Sequence, residues 1–199
     1  MDYNDSSGQP LLAAACAGQH LAVYDLRKPD TAVMSSQLSS LKHMLRCVRF
    51  WKDGTGVAVS SIEGRVALEP LPGHDTVADG ARSQRFSFKC HRKRPAGATV
   101  DVVYPVNSLA VHPVHDTVAT AGGDGSVVVW DRQARKKVHS FAPYATSVSA
   151  TAFSRTGSKL AVAVSYDHSM GADGTGAVPP DALFVRNVLP QEVQSKTKR

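Results

Sequence analysis

The 199-residue sequence predicts an all-β fold built from repeated antiparallel sheets. Short runs of β-branched residues are interrupted by Gly, Asp or Pro roughly every eight to twelve residues, which is typical of strands joined by tight turns. Within these runs apolar and polar residues alternate, as they do in a strand with one buried face. Apolar residues at helical spacing are scarce, so strands are favoured along almost the whole chain.

Each predicted strand is a short apolar or alternating run bounded by turn residues. The predicted strands are Leu11–Ala15, Leu21–Tyr24, Cys47–Trp51, Val57–Ser61, Val66–Glu69, Phe86–Cys90, Ser108–His112, Val118–Ala121, Val127–Trp130, Val138–Phe141, Val148–Phe153, Leu160–Val164 and Leu183–Arg186. Residues 1–10 are polar and acidic, and we expect them to form a flexible N-terminus. Residues 189–199 are expected to form a basic disordered tail.

One unit recurs along the chain: a strand that ends in an aromatic residue followed by Asp. Leu21–Asp25 and Val127–Asp131 have this form, Val66–Pro70 is a degenerate copy, and Leu183–Asn187 ends in Asn instead. Positions 25, 70, 131 and 187 are 45, 61 and 56 residues apart. Because a WD repeat spans about 40–45 residues, this spacing predicts a WD-repeat β-propeller with insertions. The predicted insertions are Pro72–Ser83, Lys93–Val103 and Asp167–Pro180.

The clearest repeat runs from Asn107 to Phe141. Its two strand pairs have polar or glycine-containing turns, and glycine tolerates the positive φ that tight turns require. The repeat closes on an aromatic residue followed by Asp. We expect the turn and closing residues to tie the strands of one blade together, which is a structural role. These residues are His115, Asp116, Asp124, Gly125, Trp130 and Asp131.

The repeats account for about three and a half blades, fewer than the 4–8 that generally close a propeller ring. Residues 11–188 are therefore predicted to form a partial propeller. An incomplete ring leaves strand edges and an apolar flank uncovered. We expect the chain to be a fragment or truncated product of a longer protein, or alternatively to pair with another chain.

The composition narrows the class of protein. About 42% of residues are hydrophobic and 20% are charged, which suits a chain with a packed core. No apolar run of about 18 residues is present, so no membrane association is expected. The three cysteines are widely spaced and form neither a disulfide framework nor a zinc pattern. A net charge of +6 is compatible with acidic peptides, phosphates or nucleic acid and does not distinguish them.

No catalytic constellation stands out. The sequence lacks a Gly-rich phosphate loop, a paired-His zinc motif and a nucleophile elbow. Cys90 and His91 are neighbours on a predicted strand, so their side chains should point to opposite faces rather than form a nucleophile pair. We expect no enzymatic activity, no metal and no cofactor. Direct nucleic-acid binding is not expected either, because few aromatic residues interleave the basic clusters.

Several blocks resemble one WD-repeat subfamily. The most specific are Ile62–Val66 and Lys89–Arg92, which are not general to WD-repeat proteins. The subfamily has two branches, the mitotic spindle-checkpoint proteins (budding uninhibited by benzimidazole, third member) and the messenger-RNA export factors. The resemblance extends from Leu11 to Val188. It implies seven blades in full-length members, of which this chain would hold the C-terminal portion.

The two branches imply different partners. Ser39–Lys42 and Tyr104–Asn107 resemble the checkpoint branch, which is favoured, whereas His112–His115 and Asp131–Arg135 resemble the export branch. The checkpoint branch implies a scaffold that binds a checkpoint kinase or pseudokinase motif peptide and a phosphorylated kinetochore scaffold. It also implies a location in the nucleus and, in mitosis, at the kinetochore, with a cytoplasmic pool. The export branch implies a nucleoporin as the partner.

The resemblance also implies a basic peptide-binding site. Lys89, His91, Arg92 and Lys93 match the family's basic surface block. Arg92 is the first choice for a phosphate contact, because a guanidinium makes paired, charge-assisted hydrogen bonds. A second arginine of some family members falls near Val114 here, which puts a two-arginine clamp in doubt. The alternative is that this segment is a solvated basic loop.

Three further residues are candidates for the same site. Glu63 is placed to pair with a basic residue of a partner. Arg65 either contacts the partner as well or forms a salt bridge within the blade. Their position at a tight turn favours the structural role for both. Tyr166 ends a strand beside a predicted insertion, where it either lines a peptide groove or packs against the fold.

Overall fold

The computed structural model describes residues 1–5, 8–74, 85–168 and 179–195. Within these residues the chain forms seventeen strands and one short helix. They are β1 (Asp2–Asn4), β2 (Leu11–Ala15), β3 (His20–Asp25), β4 (Ala32–Leu38), β5 (Leu45–Phe50), β6 (Gly56–Ser61), β7 (Arg65–Pro70), β8 (Phe86–Lys89), β9 (Arg92–Lys93), β10 (Val102–Val103), β11 (Val106–Val111), β12 (Val118–Gly122), β13 (Val127–Asp131), β14 (Lys136–Ser140), β15 (Val148–Phe153), β16 (Lys159–Val164), β17 (Ala182–Asn187) and α1 (Pro190–Val193).

Four antiparallel sheets follow one another in chain order. Strands β1–β4 form sheet 1, β5–β8 form sheet 2, β11–β14 form sheet 3, and β15–β17 form the three-stranded sheet 4. Consecutive strands pair in every sheet, and β9 pairs with β10 in a small hairpin between sheets 2 and 3. The first strands of successive sheets lie next to one another, as blades do around a propeller axis. The predicted all-β, incomplete propeller is confirmed.

Apolar side chains fill the space between neighbouring sheets. Leu21 and Val48 belong to the cluster between sheets 1 and 2, and Trp51 and Leu109 to the one between sheets 2 and 3. Leu160 lies in the third cluster, between sheets 3 and 4. Burying a side chain of this size stabilises the fold by about 1.5–3 kcal/mol. The alternating apolar positions therefore fix which face of each strand meets its neighbour.

The predicted strands agree with the structure to within two residues at each end. Leu11–Ala15 and Val148–Phe153 match β2 and β15 residue for residue. Strand β4 was missed, because its Ser-Ser-Gln centre lacks the alternating apolar pattern on which the prediction rests. Its pairing with β3 is also interrupted by register shifts. Strands with a short apolar or alternating run were thus predictable from sequence, whereas this strand with a polar centre was not.

The prediction of a flexible N-terminus is wrong for residues 2–4, which form β1 beside β2. The Asp2 carboxylate accepts a hydrogen bond from the Phe50 N–H at 2.7 Å, and the Asn4 amide donates to the Trp51 carbonyl at 3.4 Å. These polar residues are held by contacts with sheet 2. A polar composition alone does not reveal such contacts.

The prediction of a disordered tail from residue 189 is also wrong, because α1 packs beneath sheet 3. The Leu189 N–H donates to Glu192 Oε2 at 2.9 Å, which caps the start of the helix. Val193 is buried in the cluster between sheets 3 and 4, and its carbonyl accepts a hydrogen bond from Thr117 Oγ1 at 2.9 Å. The tail is thus tied to the last two sheets as far as the helix.

The three predicted insertions differ in what the structure describes. Residues 93–103 include the β9–β10 hairpin, so this insertion carries its own pair of strands. Residues 75–83 and 169–178 of the other two lie outside the described residues, as do residues 196–199 of the predicted tail.

Candidate peptide-binding surface

The candidate surface lies at the end of the sheets where the β6–β7 turn meets the segment that follows β8. The Cys90 N–H donates to the Gly64 carbonyl at 2.8 Å. The Arg92 Nη2 group donates to the carbonyls of Glu63 and Gly64 at 3.1 and 3.4 Å. The structure therefore joins the two blocks that carry the family resemblance. Residues 62–65 and 89–93 are called the turn surface below.

Gly64 explains why the two segments approach so closely. Its φ is +63°, in the left-handed region that favours glycine. A Cβ at this position would lie 2.7 Å from the Cys90 carbonyl oxygen and 3.0 Å from Val103 Cγ1. A side chain at residue 64 would therefore push the basic segment and the β9–β10 hairpin away from the turn.

Arg92 is held in place by the turn. Its side chain is 22% exposed, and its Nη1 atom lies 3.8 Å from Asp101 Oδ2. Its Nε atom is buried and has no hydrogen-bond partner among the described residues. Because Nη2 is occupied by two carbonyls, the Nη1 group with its loose ion pair is the part of the guanidinium left for an incoming anion.

The two lysines of the turn surface are exposed. Lys89 ends β8 directly opposite Arg65 of β7, where like charges destabilise a sheet. Lys93 Nζ donates to the Asp124 carbonyl at 3.3 Å and lies 5.4 Å from the Tyr104 ring centre. Both ammonium groups leave positive charge on the turn surface that a ligand anion would neutralise.

Glu63 is engaged by neighbours within the protein. Its Oε2 atom lies 3.6 Å from Arg65 Nε and 3.6 Å from His43 Nε2. Its Oε1 atom is buried and has no hydrogen-bond partner in the part of the chain that the structure describes. The salt bridge within the blade, one of the two roles open to Arg65 from sequence, is therefore formed.

His91 does not reach the turn surface. Its side chain is 0% exposed. The ring Nδ1 lies 2.8 Å from Asp124 Oδ1 and the ring Nε2 lies 2.8 Å from Thr120 Oγ1, which also accepts a hydrogen bond from Trp130 Nε1 at 3.1 Å. The expectation of a direct peptide contact by His91 is corrected, because the ring is enclosed by sheet 3. This buried role was not predicted, because His91 is adjacent in sequence to Arg92, which was assigned to the surface.

The Asp124 carboxylate completes this buried network. Burial alone would raise its pKa, but hydrogen bonds and charge from His91, together with hydrogen bonds from Ser126, hold the pKa at about 2. The Ser126 hydroxyl donates to it at 2.8 Å. Asp124 is therefore ionised at neutral pH. The network ties the β12–β13 turn of sheet 3 to the segment that follows sheet 2.

Two more of the residues expected to be structural lie at turns of sheet 3. Gly125 has a φ of +76°, and a Cβ there would lie 2.7 Å from the Tyr144 carbonyl oxygen. Asp131 Oδ1 accepts hydrogen bonds from the N–H groups of Gln133 and Ala134, each at 2.9 Å. The turn at Gly125 lets the β14–β15 connection approach closely. The turn that follows Asp131 is closed by the Asp131 side chain.

The turn between β11 and β12 lies at the other end of the sheets. Asp116 Oδ1 accepts a hydrogen bond from the Lys52 N–H at 3.0 Å and Asp116 Oδ2 one from Arg132 Nε at 3.0 Å, which links sheets 2 and 3. His115 stacks on a neighbouring histidine ring at 5.0 Å. Val114 is exposed in this same turn. A six-residue strand of about 20 Å separates it from the turn surface, so an arginine at 114 would not share one phosphate with Arg92.

Tyr166 follows β16, and its half-buried ring lies 5.0 Å from that of His168. A Cβ on Gly123 would be 3.1 Å from the neighbouring carboxylate of Asp167. This puts Tyr166 at the same end of the sheets as the turn surface, beyond the β12–β13 turn. The groove-lining role of Tyr166 stays a prediction.

The chemistry of the described residues does not point to a reaction. Burial raises the pKa of the Cys90 thiol to about 12, which disfavours a thiolate nucleophile. No group of three or more His, Cys, Asp or Glu side chains within the described ranges is arranged to hold a metal ion. No helix in the described part of the chain is long and apolar enough to cross a membrane.

The aromatic residues next to the basic segment are occupied by the protein itself. The rings of Phe86 and Phe88 stack with centres 5.8 Å apart. Phe88 packs on Trp130 at 4.7 Å, and the Arg135 guanidinium lies 4.6 Å from the Phe86 ring centre. These rings serve the contact between sheets 2 and 3, so they do not form an open platform for stacking bases.

The fold and its turn network define the class. Residues 99–131 match the family model described as WD domain, G-beta repeat, and this stretch contains the Trp130–Asp131 closure and the Asp124 turn. The chain is a WD-repeat β-propeller chain, with three four-stranded blades and one blade of three strands in its described residues.

Within that class the chain is similar to proteins named mitotic checkpoint proteins and, at somewhat lower sequence identity, to mRNA export proteins. It is 45% identical to "Mitotic checkpoint protein BUB3.1" of Arabidopsis thaliana over 94% of this chain and 52% of that protein. It is 38% identical to "Mitotic checkpoint protein bub3" of Dictyostelium discoideum over 92% of this chain and 52% of the relative. The "Poly(A)+ RNA export protein" of Schizosaccharomyces pombe is 35% identical over 96% of this chain and 51% of its own length. The chain thus spans about half the length of the curated relatives it matches.

Proposed function

We propose that the chain is a non-catalytic scaffold of the spindle-checkpoint type that acts in the nucleus and at mitotic kinetochores. Its turn surface binds a motif peptide of a checkpoint kinase or pseudokinase and phosphorylated peptides of a kinetochore scaffold, and so supports chromosome segregation. The similarity to proteins named mitotic checkpoint proteins favours this role over other roles of WD-repeat platforms.

The observation that carries the proposal is the meeting of the Glu63 turn with the basic segment. Arg92 is oriented by two carbonyl acceptors before any ligand arrives, so little side-chain entropy is lost on binding. Lys89 and Lys93 add exposed positive charge beside it. A phosphorylated or acidic peptide fits this surface, because hydrogen bonds that involve charged groups are the stronger ones.

A phosphothreonine peptide with acidic neighbours tests the surface, with affinity measured by fluorescence anisotropy at fixed salt. We expect Arg92→Ala to weaken binding about 10- to 100-fold, because a hydrogen bond to a charged group contributes about 1.5–3 kcal/mol. Arg92→Lys should lose less, since it keeps the charge. Lys137→Ala, at an exposed lysine of the outer strand β14, is the matched control and should bind as the unsubstituted chain does.

Two outcomes would contradict this assignment. One is an unchanged dissociation constant for Arg92→Ala. The other is equal binding of the phosphorylated and unphosphorylated peptides. Because Arg92 also holds the turn, thermal unfolding of Arg92→Ala should be recorded beside the affinity. Only a variant that remains folded reports on the ligand contact.

The second candidate is an export-type role, in which the chain binds a nucleoporin. It is favoured by the 35–36% identity to export proteins over 96–98% of this chain. A pull-down from mitotic cells separates the two candidates. Recovery of checkpoint kinases supports the first, whereas recovery of nucleoporins and export factors without those kinases supports the second.

A further inference from the structure

One carboxylate lies between two arginines on the β9–β10 hairpin, beside the turn surface. Asp101 Oδ2 is 3.8 Å from Arg92 Nη1, whereas Asp101 Oδ1 is 2.7 Å from both Nε and Nη2 of Arg94. The contact with Arg94 has the length of a charge-assisted hydrogen bond, and the contact with Arg92 is too long for one. A single anion in this place is therefore within reach of both guanidinium groups.

The register of the hairpin explains why the three side chains meet. Strand β10 pairs with β9 so that Val103 lies opposite Arg92. Counted back along β10 and forward along β9, Asp101 lies opposite Arg94. Residues two apart in a strand have their side chains on the same face, so Arg92 and Arg94 share a face with Asp101. Asp101 is the diagonal neighbour of Arg92, a separation that a long side chain can span.

The Asp101 carboxylate can be displaced without loss of the hairpin. The Arg94 side chain is 62% exposed, and an exposed ion pair contributes little to stability because water solvates both partners. Strands β9 and β10 are held by their own backbone pairing, which the hydrogen bond from the Tyr104 N–H to the His91 carbonyl at 3.0 Å extends. An incoming anion therefore competes with one side chain and not with the fold.

We propose that Arg94 is the second arginine of the phosphate site and that Asp101 holds the place of the phosphate until a ligand binds. The inference rests on the proposed function, in which Arg92 contacts a phosphorylated peptide. A phosphothreonine carries a charge of about −1.5 to −2 and three acceptor oxygens, so it can bond to two guanidinium groups at once. The Asp101 carboxylate carries a single charge and bonds only to Arg94. The phosphate displaces it, and no arginine at position 114 is needed.

Substitutions of Arg94 and Asp101 should change peptide affinity in opposite directions. The assay is fluorescence anisotropy of a phosphothreonine peptide with acidic neighbours, with the 199-residue chain at fixed salt. We expect Arg94→Ala to weaken binding about 5- to 30-fold, because a charge-assisted hydrogen bond is lost at an exposed position. Arg94→Lys should fall between, since it keeps the charge without the guanidinium fork. Asp101→Asn should tighten binding about 3- to 10-fold, because a competing negative charge is removed.

A double variant separates a direct contact of Arg94 from an indirect one. If Arg94 binds the phosphate, Arg94→Ala combined with Asp101→Asn binds the peptide at least about fivefold more weakly than Asp101→Asn alone. If Arg94 only holds Asp101 away from Arg92, then Arg94→Ala has no effect once the carboxylate is gone. The second result would overturn the inference.

Two distant substitutions control for the change in net charge. Arg155→Ala and Asp30→Asn change the charge by the same amounts, in exposed turns at the opposite end of the sheets. The six-residue strand β15 places Arg155 about 20 Å away from that end, which exceeds the screening distance of about 10 Å at 0.1 M salt. Both controls should leave the dissociation constant within about twofold of the unsubstituted chain.

The inference and the proposed function fail in different ways. If neither the unsubstituted chain nor Asp101→Asn binds the phosphopeptide, both fail together. If the chain binds the phosphopeptide and loses affinity in Arg92→Ala, the proposed site stands. An affinity that is then unchanged in Arg94→Ala, or unchanged or weaker in Asp101→Asn, would overturn the inference alone.

Discussion

Replacing His91 with Ala tests the buried network that fixes the turn surface. The substitution removes a ring that is 0% exposed and takes one partner each from Asp124 and Thr120. Leaving a buried polar group unpaired costs about 1–3 kcal/mol, and more when the group is charged. Because Ser126 still bonds to Asp124, we expect the free energy of unfolding to fall by about 3–5 kcal/mol rather than by the full sum.

The assay is urea unfolding followed by circular dichroism, with thermal unfolding beside it. For a chain of this size each kcal/mol lowers the Tm by about 2–4 °C, so a decrease of about 6–20 °C is expected. His74→Ala is the matched control, because His74 is exposed, and it should change stability by no more than about 0.5 kcal/mol. The comparison separates loss of the network from loss of a histidine as such.

A double-mutant cycle makes the reasoning refutable. His91→Ala and Asp124→Ala should be non-additive by about 1–3 kcal/mol, as residues in one network are. A loss below about 1 kcal/mol for His91→Ala, or an additive pair, would mean that the ring is not held between Asp124 and Thr120. The role of His91 would then have to be sought on the surface again.

Three further predictions concern single residues of the same sheets. Gly125→Ala should destabilise more than Gly97→Ala by about 1 kcal/mol or more: both have a positive φ, but only at Gly125 would the new Cβ meet a carbonyl oxygen, that of Tyr144 at 2.7 Å. Burial lowers the pKa of His112 in the folded chain, so as the pH falls the unfolded chain binds a proton before the folded chain does. The urea midpoint should fall as the pH drops below about 6.5, and His112→Asn should flatten that dependence. The pKa of Asp124 is about 2, so its contribution is complete above about pH 4 and is lost as the pH falls toward 2; Asp124→Asn should remove that part of the acid unfolding.

The central strands of each blade were predictable because burial imposes a pattern on their sequence. A strand buried between two sheets places apolar residues on both faces, and the resulting short apolar runs are visible in Val57–Ser61 and Val127–Trp130. Strand β1 and helix α1 were missed for the opposite reason. Each is held by a residue that is distant in the chain. Asp2 of β1 bonds to Phe50, 48 residues away, and Val193 of α1 bonds to Thr117, 76 residues away.

The candidate site was predictable as a pair of blocks and was not predictable atom by atom. The resemblance singled out residues around Glu63 and Arg92, and the structure brings them together through backbone carbonyls. His91 was placed on the wrong side, because its partner Asp124 is 33 residues away and its neighbour Arg92 is on the surface. Sequence order shows which residues are adjacent in the chain, but not which of them a fold turns inward.

Binding and support overlap on the turn surface, and this decides which substitution is informative. Arg92 donates to the carbonyls of Glu63 and Gly64, and Lys93 donates to that of Asp124, so removing either side chain also releases a turn. Lys89 is exposed, and within the described residues its side chain makes no hydrogen bond or ion pair. A loss of peptide affinity in Lys89→Ala would therefore report lost attraction to the ligand alone. We expect a loss of a few-fold that shrinks as salt is raised, because exposed charges are screened within about 10 Å at 0.1 M ionic strength. A loss of affinity that does not change with salt would mean that Lys89 acts through the shape of the surface and not through its charge.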